Sequence, residues 1–110
     1  MDQKTIGIVG GVGSYAGIDL IRKIYDNTQA STDQEHLPIA MLSVPHRIVD
    51  RSDFILGKTA INPGVSIAEV ILTMAAQGAA VVGIPCNTAH APVIFDVVRE
   101  KVSAHCTLIH

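Results

Sequence analysis

Cysteine is scarce in this chain: Cys86 and Cys106 are the only two, too few for the disulfide framework of a small secreted domain. In a reducing compartment such thiols are more often packed or reactive than cross-linked. Basic clusters are also lacking. The eight Lys and Arg residues are scattered and the net charge is −2, so a phosphate backbone finds no electrostatic footprint and no nucleic-acid partner is expected. No apolar run approaches the ~18 residues of a membrane span, which excludes a membrane partner of the spanning kind. The start, MDQKTIGIVGG, passes from charge into a short apolar run without a signal-peptide pattern, so the expected location is cytoplasmic. Neither C-x-x-C nor H-x-x-x-H spacing occurs, and no metal is expected.

What is present is apolar. Hydrophobic residues make up 48% of 110, enough for one core, so a single domain over residues 1–110 is the expectation. Thr5–Val9 is a short, partly β-branched run ending in Gly10-Gly11-Val12-Gly13, and Ile18, Ile21, Ile24 and Tyr25 then recur at helical spacing. Polar residues 29–36 predict a loop, and Leu37–Ser43 a second strand with its proline near the start. Residues 44–62 form a long connection with one helical turn expected near Asp53–Leu56, and connections of this length tend to be functional. A helix is predicted from Pro63 to Gln77, closed by Gly78. Ala79–Ile84 is apolar on both faces, as a central parallel strand is. A further helix carries Ile94, Val97, Val98 and Val102, and Thr107–Ile109 reads as a last short strand. The order β-α-β-α-β-α-β predicts an α/β fold with a parallel, doubly wound sheet flanked by helices. The chain stops at the edge of its last strand, and we expect a fragment or half of a larger fold.

Ligands of such sheets bind beyond the carboxyl ends of the strands, which singles out Gly10–Ser14, Ser43–Arg51 and Pro85–His90. Gly11-Val12-Gly13-Ser14-Tyr15-Ala16 fits a dinucleotide fingerprint with Ala in third place. The ribose-binding acid is absent after the second strand, although Arg47 suits a 2′-phosphate. The same glycines could instead serve only a tight turn, or offer their amides to a carboxylate. Cys86 follows Pro85 where a strand gives way to a helix expected to begin between Thr88 and Pro92. The amide end of a helix favours an anion, and cysteines placed there are often reactive. Asn87 and Thr88 are candidate helix caps. His90 is a candidate base for the thiol, though no third group to orient it is evident.

The segments IGIVGGVGSYAGIDLIRKI, DQEHLPI, VDRSDFILGK and above all GIPCNTAHA resemble the N-terminal half of the aspartate/glutamate racemase family, the cofactor-independent amino-acid racemases. The resemblance spans nearly the whole chain. It implies one half of a two-domain, pseudo-symmetric fold, the second domain being absent from this chain, with substrate held between the halves. It implies no pyridoxal phosphate, metal or other cofactor. Inverting an α-carbon needs an acid and a base on opposite faces; in the family two cysteines fill these roles, and Cys86 matches one of them. Asn87 and Thr88 match positions that bind the carboxylate and amino end of the substrate, Arg51 an arginine that pairs with substrate carboxylate, and Val12 and Gly13 pocket-lining positions. The implied partners are an acidic amino acid and further copies of the chain in a homo-oligomer.

The chain also departs from the pattern. Ser14 stands where many members have proline, and Gly17 where a β-branched or polar residue is common. VPHRIVDR holds one residue more before its Asp-Arg pair than some aspartate-specific members, which bears on His46, Arg47 and side-chain selectivity. Cys106-Thr107 echoes the family's second cysteine motif, but no Gly precedes it and no Glu follows, so a packed thiol is expected. Two other readings stand beside the racemase: an NADP-binding Rossmann-like module using Gly11, Gly13 and Arg47, and a non-catalytic binder of acidic ligands.

Overall fold

The computed structural model describes residues 4–110. β1 (Thr5–Gly10), β2 (Ile39–Ser43), β3 (Ala79–Gly83) and β4 (Thr107–Leu108) form one sheet in the order β2-β1-β3-β4. Every neighbouring pair is parallel. The connections carry α1 (Ser14–Asp26), α2 (Arg51–Ile55), α3 (Pro63–Ala76) and α4 (Pro92–Val102). Right-handed crossovers that run one way along the sheet from β1 to β2 and the other way from β2 to β3 and β3 to β4 put α1 on one face and α3 with α4 on the other. The glycines show both faces. A Cβ on Gly7 would meet Val82 and Met74 of the α3 side, whereas one on Gly17 of α1 would meet Met41 and the backbone of Gly10. The α/β class and the doubly wound parallel sheet are those expected.

The core lies between the sheet and the α3–α4 pair. Ile67, Val70, Ile71 and Met74 of α3 interlock with Ile94, Phe95, Val98 and Val102 of α4 over Val9 and Val82 of the strands. Asn62 starts α3: its Oδ1 accepts the Gly64 N–H at 2.8 Å while its Nδ2 donates to the Val93 carbonyl at 2.9 Å. One side chain thus caps a helix and ties it to the next. Gly64 lies where the two helices touch, since a Cβ there would be 2.8 Å from the Ile94 carbonyl oxygen. Gly78, with φ +109°, closes α3 as expected. Among the described residues no helix is long and apolar enough to cross a membrane.

One boundary differs from expectation in a way that matters for function. The short helix in the long connection begins at Arg51 rather than near Asp53, because Asp50 Oδ1 accepts the Asp53 N–H at 3.0 Å and serves as its cap. The last helix begins at Pro92, the far limit of the expected range, and a separate 3₁₀ turn at Thr88–His90 precedes it.

Candidate active site

The strand order reverses at β1, so its crevice opens between the carboxyl ends of β1 and β3. Ile8 pairs with Gly83; continuing that register brings the glycine loop level with the segment after β3. In the loop, Gly11 has φ +81° and a Cβ there would lie 3.0 to 3.1 Å from the Pro45 ring. Only glycine meets both demands. The approach also draws the 3₁₀ turn Pro45–Arg47, after β2, onto the loop. Gly13 is exposed at the start of α1, with open space where a Cβ would be. Val12 points the other way. It is 0% exposed within the core, so it anchors the loop and offers no surface of its own to a ligand in this conformation.

After β3 the chain makes a tight turn. The Cys86 N–H donates to the Ile84 carbonyl at 2.8 Å, a three-residue turn centred on Pro85, whose ring presets a suitable φ. His90 Nε2 reaches the same carbonyl, also at 2.8 Å. A carbonyl only accepts, so Nε2 carries the proton. This fixes His90 as a donor through Nε2 and leaves that nitrogen unable to serve as base to the thiol. Cys86 precedes the 3₁₀ turn, and α4 starts at Pro92, within the range expected, with Ala91 as an uncapped N-cap. Asn87 and Thr88 are not spent as caps: among the described residues no side-chain hydrogen bond to α4 or the 3₁₀ turn is made by either. Cys86 is a free thiol, half-buried and packed against the edge of the core. It is neither sealed in nor fully open.

Arg51 enters from the other side. It is the first residue of α2, which packs against the Thr88–His90 turn. Its guanidinium is half-buried, Nη1 has only a long 3.5 Å contact with the Val49 carbonyl, and buried Nε has no partner. Leaving a buried donor unmade costs about 1–3 kcal/mol, and no carboxylate among the described residues forms an ion pair with it. Arg47, by contrast, lies 3.7 Å from Glu69 of α3. His46 is exposed on the same turn.

The structure therefore brings Cys86, Asn87, Thr88 and Arg51 to adjoining segments at the carboxyl rim, with Gly13 on the neighbouring loop. Cys106 lies at the opposite end of the sheet, before β4, with Sγ 3.9 Å from the Val102 carbonyl; burial raises its pKa above the ordinary 9.0. Among the described residues no three His, Cys, Asp or Glu side chains cluster to hold a metal ion. The two-bond use of the Ile84 carbonyl was not foreseeable from residue spacing, because it depends on a fold-back across six residues.

No model of a known protein family matches the sequence. Solved structures do match. Aspartate racemase of Picrophilus torridus superposes with a TM-score of 0.79 at 26% identity, over 97% of this chain and 43% of that one. A candidate Asp/Glu racemase from Yersinia pestis gives 0.75 at 19% identity, over 98% and 45%. An aspartate racemase homologue from Pyrococcus horikoshii gives 0.72 at 17%, over 97% and 44%; at such identities the last two speak for the fold alone. This chain spans less than half the length of the structures it matches. Its likeness to the aspartate/glutamate racemases, read first from sequence motifs, thus holds in three dimensions over 97% of its residues.

Proposed function

We propose that this chain supplies one half of a cofactor-independent amino-acid racemase acting on an acidic substrate, and that Cys86 is one of its two proton-transfer groups. The observation that carries the reading is the pairing at one rim of a free, half-buried thiol with a guanidinium whose buried Nε has no partner. Arg51 takes a substrate carboxylate through its planar fork. Asn87 and Thr88, with side chains uncommitted to capping, hold the α-carboxylate and amino end. Gly13 and the open loop beside it leave room for the ligand. The fold shared with aspartate racemase supports the same assignment.

The chemistry follows from that placement. As thiolate, Cys86 removes the α-proton; the C–H electron pair remains on the α-carbon and spreads into the adjoining carboxylate, where the bound cation and donors stabilise it. A thiol on the opposite face then returns a proton to the carbon, leaving the mirror-image amino acid and a second thiolate. Run backwards, the roles exchange. The second thiol lies in the other half of the protein, outside these 110 residues. Two chains each donating Cys86 across a cleft is the alternative that the test separates.

The test follows Cα hydrogen in deuterium oxide, with aspartate and glutamate of each hand, on the protein comprising both halves. Solvent deuterium is expected at the α-carbon, and Cys86→Ser is expected to slow its entry by about 10²–10⁴, the usual contribution of a positioned acid or base. Uptake unaffected by that substitution overturns the proposal. Equal activity from the 110-residue chain alone, as a dimer, assigns the second thiol to a second copy.

A further inference from the structure

Three rings gather beside the proposed active-site turn. The His90 ring centroid lies 4.9 Å from that of Phe95 and 5.3 Å from that of His110, and Phe95 and His110 are 4.4 Å apart, all near-parallel. Phe95 belongs to the core side of α4 and is almost fully buried. His110 follows β4, whose pairing with β3 is extended by the bond from Ile109 N–H to the Val82 carbonyl. The imidazole of His90 is therefore held by packing from a helix and from the end of a strand before it makes any polar contact. Its one hydrogen bond then goes to the Ile84 carbonyl, which also receives the Cys86 N–H. A carbonyl has two lone pairs. Both are occupied, one by the residue that bears the thiol and one by a ring anchored in the core.

We propose that His90 is a positioning residue: through the shared Ile84 carbonyl, its Nε2–H holds the Pro85–Cys86 turn and so sets where the Cys86 sulfur stands. The relevance to catalysis rests on the racemase reading, but the positioning itself does not. A thiol that must meet an α-proton within a fraction of an ångström needs such support, since a side chain on an unpinned turn would sample many directions. The 3₁₀ turn at Thr88–His90 is closed by its own backbone bonds, from His90 N–H to the Asn87 carbonyl at 3.0 Å and from Ala91 N–H to the Thr88 carbonyl at 3.1 Å, and the Nε2 bond holds it against Ile84. The turn folds residue 90 back over residue 84, and with it brings Asn87 and Thr88 around to the rim.

Cys106, at the far end of the sheet, is an internal reference for a test on the 110-residue chain itself. The two thiols are alkylated with iodoacetamide under native conditions and each site is quantified by mass spectrometry. His90→Phe keeps an aromatic ring in the cluster and deletes the donor; His90→Gln places an amide N–H at the same distance from the backbone as Nε2. In His90→Phe the Cys86-to-Cys106 rate ratio is expected to rise about threefold to tenfold, as a half-buried thiol is freed by the loss of one hydrogen bond. In His90→Gln it is expected to return close to the wild-type ratio. A wild-type ratio in His90→Phe overturns the proposal, as does equal acceleration of both cysteines or a His90→Gln that behaves like His90→Phe. Should the phenylalanine variant not fold, nitrogen-15 NMR of the wild-type rings decides: a His90 protonated on Nε2 is expected, and one protonated on Nδ1 alone overturns it. Failure of deuterium exchange to depend on Cys86 sinks the racemase reading and leaves these readouts intact.

Discussion

At the scale of single residues, Arg51 concentrates the argument. A half-buried guanidinium with an unpartnered Nε at a helix start is poorly explained by stability, since that end of a helix disfavours a cation. A bound carboxylate resolves both problems. Arg51→Ala is expected to weaken binding of an acidic amino acid by about tenfold or more, in line with ~1.5–3 kcal/mol for a charge-assisted hydrogen bond. Arg51→Lys should recover only part of it, because a point charge cannot reproduce the fork. Isothermal titration of the variants against aspartate and glutamate checks this. Cys106 gives a contrasting expectation. Burial raises its pKa in the folded chain above 9.0, so its contribution to stability is complete below that pH and is lost as pH climbs through the raised value. Chemical denaturation across alkaline pH should show that decline, and Cys106→Ala should remove it. Of these residues, sequence motifs pointed to Cys86, Asn87, Thr88 and Arg51 as a group, and the fold sets them on adjoining segments. Val12 escaped because a Gly-Val-Gly loop does not reveal which way its one side chain turns; here it turns into the core.

At the scale of elements, close approach decides what is tolerated. Gly64→Ala puts a methyl group 2.8 Å from the Ile94 carbonyl oxygen, and backbone cannot swing aside as a side chain can. A loss of about 1–3 kcal/mol is expected, the usual cost of overpacking, read as a lower denaturant midpoint. Gly11→Ala combines a left-handed φ of +81° with contact against Pro45. It should cost about 1–2 kcal/mol from the backbone conformation alone and loosen the loop next to the thiol. The strands and long helices were legible because apolar periodicity and turn residues agree with the fold at every step. The start of α4 was less so. PCNTAHAP holds several capping residues before its second proline, and local preference cannot decide among them. In the fold the segment closes a separate 3₁₀ turn through its own backbone bonds, with His90 tied to the Ile84 carbonyl, and α4 starts after it with Pro92 in its first position. The early start of α2 has a local cause, the Asp50 cap, which spacing alone could have found.

At the scale of the whole molecule, one parallel sheet presents its carboxyl edge, which the proposed function makes one half of a cleft. The proposed reaction needs groups on both faces of an α-carbon, and a single rim with one thiol supplies one face. That agrees with a chain spanning 43% of the aspartate racemase it matches. It also implies a division of labour: this half should bind the acidic ligand weakly through Arg51, Asn87 and Thr88, while inversion waits on the other. The direct measurement of that claim is a residue-resolved NMR titration of the 110-residue chain with aspartate. Shifts confined to Gly13, Arg51 and the Cys86–Thr88 segment, and abolished there by Arg51→Ala, are the expected result; no shift at that rim, or shifts gathered around Cys106 at the opposite end of the sheet, would contradict it.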